Sequence, residues 1–406
     1  MERNYTSIRL EITSKCNLNC KYCHNSLYNN SEDDMSTEEI IKLVKKLNER
    51  NKIKKILLTG GEPLLNRDVC KIISTFTSMG IKLDMVTNGT LITEKYLKEL
   101  EKAGLKRIRL SIDSIDDSVD TRDKANISRL WQIAKLITEK SNIELAIHTV
   151  CSPANVDNLY DVYKKLLEVK AARWRVFDIG YQGNLLDNKK RFDFADYYQK
   201  MILSTKKILN DYLKNGYYDR LDIEINNVFK TSFLYLDAEK NSVDIGKVYA
   251  DNLLLSPCEY VADHQLTVRS NGCASLCQYF RNSIYEFKKN NMDIDKSFFN
   301  KNHPIENELI KKDLNYCPDC KYFLVCNGGC RSKALYLTND IKEPDPTSCC
   351  LHKLIDEELM PILPENVRKW YNNFILNDKK IPKYNSEKLT QLLLNKGFNH
   401  EYEYRI

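Results

Sequence analysis

The residues of this chain best suited to chemistry are its cysteines, fourteen among 406 residues. Cys16, Cys20 and Cys23 form a C-x3-C-x2-C run directly after an apolar, β-branched segment at 7–12. Nine more cysteines fall between 258 and 350. The polar stretch Met1 to Ser7 runs straight into the strand-like segment, so no signal peptide is expected and the chain reads as cytoplasmic. Thiols stay reduced in that compartment, and so many of them point to metal rather than to disulfides. Three thiolates cannot fill the four iron positions of a [4Fe–4S] cluster, which leaves one iron open to a substrate or cofactor. A structural zinc site wants a fourth ligand. His24 is the local candidate, but as the neighbour of Cys23 it is badly placed to point at the same ion. In the second group Cys317, Cys320, Cys326 and Cys330 read C-x2-C-x5-C-x3-C, with Cys349 and Cys350 beyond. Iron–sulfur ligation and a four-cysteine zinc site both fit that spacing. Cys70, in a helical pattern, and Cys151, near a strand end, read as ordinary buried thiols. His148 lies in a strand and reads as part of a satisfied polar interior rather than as a general base.

The elements that must hold these groups follow from periodicity. Apolar, β-branched runs at 7–12, 53–58, 81–87, 106–112, 143–150 and 173–179 predict strands. Helical patterns lie between them. Residues 36–50 open on a capping box, Ser36 with Glu39, and put Ile40, Ile41, Leu43, Val44 and Leu47 on one face. Residues 67–79 stop at Gly80 and 94–103 at Gly104; further helices are expected near 127–140, 155–170 and 193–213. Repeated strand–helix units imply right-handed crossovers and a parallel sheet. Six of them suit a partial (β/α)6 TIM-type barrel, and the loop Cys16–Cys23 then lies at its C-terminal mouth, where active sites sit. The expected division is a barrel over 1–215, a Tyr- and Asp-rich bridge over 216–257, a cysteine-rich domain of short strands and turns over 258–352 and a helical tail over 353–406. The charge balance, 62 basic against 56 acidic side chains spread along the chain, argues against a nucleic-acid binder. No apolar run approaches the ~18–20 residues of a membrane span.

Read together, these residues resemble a family. Cys16-Asn17-Leu18-Asn19-Cys20-Lys21-Tyr22-Cys23 is similar to the signature of radical S-adenosylmethionine (SAM) enzymes, and Gly60-Gly61-Glu62-Pro63 to their GGEP motif. Thr87-Asn88-Gly89 and Ser111-Ile112-Asp113-Ser114 end the third and fourth strands in the family's order. The resemblance implies a [4Fe–4S] cluster on Cys16, Cys20 and Cys23 that cleaves SAM reductively to a 5′-deoxyadenosyl radical. It implies further that Gly60 and Gly61 admit the SAM amino group without a Cβ in the way and that Glu62 makes polar contacts at that edge. Tyr22 would lie beside adenine, and Asn88, Ser111 and Asp113 match SAM-contact positions.

The second cysteine group, C-x13-G-x4-C over Cys258, Gly272 and Cys277 followed by the run from Cys317, resembles the SPASM domain of peptide-modifying radical SAM enzymes. Tyr322-Phe323 and Cys326-Asn327-Gly328-Gly329-Cys330 match its text. In that family the ligands interleave. The resemblance assigns Cys317, Cys320, Cys326 and one of Cys349 or Cys350, with Cys349 favoured, to an outer auxiliary [4Fe–4S] cluster. It assigns Cys258, Cys277 and Cys330 to an inner one, which Cys273 either completes or leaves open. Three clusters are therefore expected, one SAM-binding and two auxiliary.

Several reactions share this layout. The barrel text is similar to the molybdenum-cofactor cyclases, but those use a three-cysteine C-terminal site and a Gly-Gly tail, whereas this chain ends Tyr404-Arg405-Ile406. Anaerobic sulfatase maturases carry an Asp base after the cysteine equivalent to Cys277; Gln278 stands there and cannot take a proton at neutral pH. The favoured reading is maturation of a ribosomally made peptide by a thioether, carbon–carbon or carbon–oxygen crosslink. A radical SAM dehydrogenase or epimerase acting on a small molecule or peptide, or an anaerobic sulfatase-maturase-like enzyme, is the alternative enzyme, and an iron–sulfur electron carrier or scaffold the non-enzyme alternative. Expected partners are a precursor peptide and a flavodoxin- or ferredoxin-type electron donor, with no nucleic acid and no membrane; any leader recognition falls to a separate leader-binding protein, the bridge at 216–257 or the tail at 351–406.

Overall fold

The computed structural model describes residues 5–119, 121–123, 125–194, 196–216, 220–226, 228–231, 234, 265–279, 285–297 and 314–398. Cys258 lies outside them. The six expected strands form: β1 Ser7–Glu11, β2 Lys55–Thr59, β3 Lys82–Thr87, β4 Arg107–Ser111, β5 Glu144–Cys151 and β6 Arg173–Asp178. They pair side by side, all parallel, in chain order. The crossovers carry α1 Thr37–Asn51, α2 Val69–Ser78, α3 Glu94–Ala103, α4 Ile127–Lys140 and α5 Leu159–Glu168; α6 Asn184–Asn188 and α7 Tyr197–Asn215 follow β6. The capping box of α1 closes in both directions: Glu39 N donates to Ser36 Oγ at 3.2 Å and Ser36 N to Glu39 Oε2 at 2.8 Å.

Alternation along each strand divides the sheet into two faces. Ile8, Leu10, Ile56, Leu58, Leu83, Met85, Ile108 and Leu110 are buried in one core with Ile40, Leu43, Val44 and Leu47 of α1. The opposite face is charged. Asp84 pairs with Arg107 at 2.9 Å and Arg109 at 2.5 Å, Arg107 with Glu144 at 2.5 Å, and Arg173 with Glu144 and Asp222, each at 2.9 Å. These pairs cross strands, so they tie β3 to β6 and onward.

The sheet does not stop where the strand–helix alternation ends. In the stretch read as a bridge, β7 Asp222–Ile225 pairs parallel with β6, and β8 Phe229–Lys230 pairs antiparallel with β7. The cause is a short alternating run in which Ile223 and Ile225 are buried while Asp222 and Glu224 meet the arginines of β6. On the other side β9 Gln265–Val268 pairs parallel with β1, and β10 Cys273–Ser275 and β11 Tyr285–Glu286 continue antiparallel. The strand order is β11-β10-β9-β1-β2-β3-β4-β5-β6-β7-β8. Helices follow at Arg331–Thr338, Pro346–Leu354, Glu365–Asn372 and Ser386–Asn395. The tail folds back on the barrel, where Phe398 meets Phe194 edge-on at 4.7 Å. Among the described residues no helix is long and apolar enough to cross a membrane.

Candidate functional site

Residues 12–23 leave β1 as a loop, and returns from four other strands fasten it. After β2, Gly61 N donates to Thr13 O at 2.8 Å and Glu62 N to Lys15 O at 2.7 Å. After β3, Asn88 Nδ2 donates to Asn17 Oδ1 at 2.9 Å, and Asn17 Nδ2 to Thr90 Oγ1 at 2.8 Å. After β4, Lys21 N donates to Thr121 O at 3.0 Å and the Tyr22 hydroxyl to Asp113. After β6, Asn184 Nδ2 donates to Asn19 Oδ1 at 2.6 Å and to Cys20 O at 2.9 Å. The structure therefore gathers Tyr22, Gly60, Gly61, Glu62, Asn88 and Asp113 around the three cysteines.

The two glycines have a steric reason within the protein itself. A Cβ on Gly60, whose φ is +144°, would stand 2.2 Å from Thr13 O. One on Gly61 would stand 2.2 Å from Lys15 O and 2.5 Å from Ser14 O. They are needed because the turn presses against the backbone leading into Cys16. Glu62 likewise has protein partners: it is buried and accepts from Leu64 N at 3.1 Å, Thr87 Oγ1 at 2.7 Å and Asn88 N at 2.7 Å. Its carboxyl ties the β2 return to the end of β3. Asp113 accepts from Val150 N at 2.9 Å, besides Tyr22. Ser111 ends β4 opposite His148 of β5.

Electrostatics at the mouth turn on one residue the sequence did not single out. Arg122 is buried, with a guanidinium nitrogen 3.8 Å from Asp113. Burial works against its charge, but Tyr22, Cys20, Asp113 and Glu62 outweigh that and keep it protonated. A single arginine in a polar loop carries no sequence signal of that role. Burial pushes the Cys20 thiol up to about 12 and the Cys16 thiol above its ordinary value; the neighbouring cysteines add to both, and Arg122 opposes. A bound cation reverses that preference, since coordinated thiols deprotonate. A cleft of about 290 Å³ beside the loop is lined by Cys16, Asn17, Leu18, Asn19, Ser26, Asn29 and Asn30. His148 is settled as facing the charged side of the sheet: burial, and then Arg109, Arg175 and Arg9, hold it well below its ordinary value and so neutral.

The second cysteine group separates in space. Cys317, Cys320, Cys326 and Cys349 line one pocket together with Tyr322 and His352. Cys350 does not; its sulfur lies 3.2 Å from Ser386 Oγ. Cys330 is parted from Cys326 by three residues in left-handed backbone, Asn327, Gly328 and Gly329 at φ of +50°, +72° and +71°. That turn sends the two cysteines to different surroundings. Cys330 and Cys277 both act electrostatically on Tyr279, whose backbone N donates to the Cys277 sulfur at 3.4 Å. Cys273 sits in β10 opposite Glu286. Among the described residues no group of three or more His, Cys, Asp or Glu is gathered as one metal ion would need.

Two buried links join this region to the barrel mouth. Arg269 pairs with Glu11 of β1 at 2.6 Å and donates to Gln278 O at 2.8 Å, which holds the Cys277 turn. Lys333, three residues after Cys330, pairs with Asp178 at the end of β6, which also accepts from Tyr197 at 2.8 Å and Tyr198 at 3.0 Å.

Comparison with known proteins places this geometry. The Radical SAM superfamily family model matches residues 10–166. A probable GTP 3′,8-cyclase of Methanocaldococcus jannaschii is 31% identical over 172 residues, 42% of this chain and 57% of that protein. Another, of Sulfurisphaera tokodaii, is 26% identical over 309 residues, 75% of this chain and 90% of that protein. The chain spans about half the length of the first curated relatives it matches. Among solved structures, native anSMEcpe with bound AdoMet and Cp18Cys peptide superposes with a TM-score of 0.67 at 22% identity, covering 90% of this chain and 99% of that one. Streptococcus suis SuiB bound to S-adenosylmethionine gives 0.62 at 18% identity, covering 84% of this chain and 76% of that one. At these identities the likeness is one of fold. Over residues 10–166 the chain carries a radical SAM domain with its cysteine triad at the mouth of an open, mostly parallel sheet.

Proposed function

We propose that this chain is a radical SAM peptide maturase that installs a crosslink in a ribosomally made precursor, with Cys16, Cys20 and Cys23 holding the SAM-binding cluster. The observation that carries the reading is the partition of the C-terminal cysteines: four line one pocket, and a left-handed turn directs Cys330 away towards Tyr279 and Cys277. A SPASM-type domain interleaves its ligands in this way. We assign Cys317, Cys320, Cys326 and Cys349 to an outer auxiliary cluster, and Cys277 and Cys330 with Cys258 to an inner one. The donor set fits: four buried thiols face one space, and an imidazole with no hydrogen-bond partner among the described residues faces it too. When bound, the mouth cluster with SAM would supply a 5′-deoxyadenosyl radical, and the auxiliary clusters would accept the second electron of a crosslink.

The chain's own residues set the stage for that chemistry. The β2, β3, β4 and β6 returns fix the cysteine loop. Glu62 and Asp113, each held by backbone N–H donors, lock the strand ends that Asn88 and Ser111 occupy. Arg122 keeps positive charge next to Cys20, which offsets the negative charge that gathered thiolates bring. Neutral His148 lies in register with Ser111 and faces the arginines of the barrel.

A second reading is cyclisation of a nucleotide, the activity in the names of the curated relatives. The likeness to the Sulfurisphaera tokodaii protein, 26% identical over 75% of this chain, favours it. One experiment separates the two. Anaerobically reconstituted protein is given SAM and dithionite with either GTP or candidate precursor peptides, followed by mass spectrometry. Loss of two hydrogens from a peptide supports the maturase; a cyclised nucleotide with unchanged peptide rejects it. Release of 5′-deoxyadenosine in neither case rejects both.

A further inference from the structure

The pocket of Cys317, Cys320, Cys326 and Cys349 contains one group that the cluster assignment leaves unexplained. His352 is fully buried, at 0% exposure. Neither ring nitrogen has a hydrogen-bond partner among the described residues. Leaving a buried polar group unsatisfied is costly, so such an orphan calls for a ligand beyond the described residues. The helix Pro346–Leu354 carries Cys349 and His352 at i and i+3, which puts both side chains on the same side of the helix. Cys349 turns into the pocket, and His352 turns with it. Tyr322 covers the imidazole as a stacked ring, 6.2 Å between centroids, but spends its hydroxyl on Asp356 at 2.6 Å. The imidazole is left with one N–H and no acceptor for it among the described residues.

We propose that His352 donates a hydrogen bond to the sulfur shell of an iron–sulfur cluster held by Cys317, Cys320, Cys326 and Cys349, and thereby raises that cluster's reduction potential. This rests on the assignment of those four cysteines to a cluster. Sulfide and thiolate sulfurs are acceptors with no donor of their own, so a neutral imidazole N–H is complementary to them. Donation draws electron density from the sulfurs and favours the more negative, reduced state; hydrogen bonds to sulfur are among the determinants of cluster potential. His352 is a positioning and tuning residue in this role and touches no substrate. The consequence is functional: a higher potential makes the outer cluster a better electron acceptor.

The test uses the full chain carrying Cys16→Ala, Cys20→Ala and Cys23→Ala, so that the mouth cluster does not contribute to the signal. Iron is counted first. Adding Cys349→Ala must remove about four irons; an unchanged count, or zinc at the site, rejects the cluster assignment before His352 is examined. Given the cluster, His352→Phe and His352→Gln are titrated by potentiometry with electron paramagnetic resonance detection. The expected result is full iron content in both variants, a midpoint moved negative in His352→Phe and one nearer the parent in His352→Gln, which keeps an N–H donor. Equal midpoints in all three proteins at full iron overturn the proposal. Loss of iron in both variants with the fold retained by circular dichroism also overturns it, because His352 is then a ligand rather than a donor.

Discussion

The two cysteine sites are built on opposite plans. At the barrel mouth three cysteines sit in a loop that supplies little structure of its own; returns from β2, β3, β4 and β6 hold it, and a cleft lies alongside. In the C-terminal pocket four cysteines are buried to within 8% exposure, on a framework of short turns and one helix, and a buried imidazole closes the remaining space. The first site is incomplete by protein ligands and accessible. The second gathers four buried cysteines around one pocket. On the proposed reading, substrate-facing chemistry belongs to the mouth and electron storage to the pocket, and each can be tested one site at a time.

The largest effect belongs to the mouth. Replacing Cys16, Cys20 and Cys23 together by alanine should abolish 5′-deoxyadenosine release while leaving about eight of about twelve irons, at four per cluster. Iron analysis beside chromatographic detection of the nucleoside checks both halves. Next comes the turn that presses on the loop. Gly61→Ala puts a carbon 2.2 Å from Lys15 O, so the loop must shift. Misplacement of reacting groups by about 1 Å costs on the order of a hundredfold in rate, and SAM cleavage should fall by that order. Gly329→Ala, crowded instead by Asp345 and Ser348, should spare SAM cleavage and lower the auxiliary iron count.

The link between the regions gives a third prediction. Burial works against the Lys333 charge, but Asp178 and then Asp345 hold it protonated. Lys333→Met leaves the Asp178 carboxylate buried without its cation, and removing one partner of a buried pair costs about 3–5 kcal/mol. Denaturant unfolding should show that loss, and Asp178→Asn added to Lys333→Met should recover part of it.

A smaller effect concerns pH. Burial pushes the Asp84 carboxyl up, but Arg109, Arg107 and Lys55 outweigh it and hold it below its ordinary value. A depressed carboxyl contributes stability above its unfolded value, about 3.9. That contribution disappears as pH falls through the lower folded value. Asp84→Asn should flatten the acid side of the stability profile measured by denaturant unfolding. The smallest effect is expected for Cys350→Ala, since that sulfur faces Ser386; iron content should not change, whereas Cys349→Ala should lose a cluster.

Much of the barrel was legible in the sequence because local signals agree there. The apolar runs, the Ser36 and Glu39 capping box and the stop at Gly104 each mark an element that forms. The strands at 222–230 were not, because two isoleucines alternating with acids are too short a pattern to separate from loop. The pairing of β9 with β1 joins segments more than 250 residues apart, and no local signal encodes it. At the site, cysteine spacing and the glycine pair were visible as text, but their physical reasons were not. Gly60 and Gly61 answer to the carbonyls of Thr13, Ser14 and Lys15, which are close only after folding. Arg122, Arg269 and Lys333 act through partners far along the chain, so their types alone said nothing. The choice between Cys349 and Cys350 is one of helical phase: adjacent residues diverge by about 100° around the axis, so one faces the pocket and the other does not.

The most direct measurement is 5′-deoxyadenosine release from SAM and dithionite by anaerobically purified, iron-counted protein. Release by the parent chain, and none once Cys16, Cys20 and Cys23 are alanine, is the expected outcome. Fully clustered parent protein that releases none, or zinc bound at those three cysteines, would contradict it.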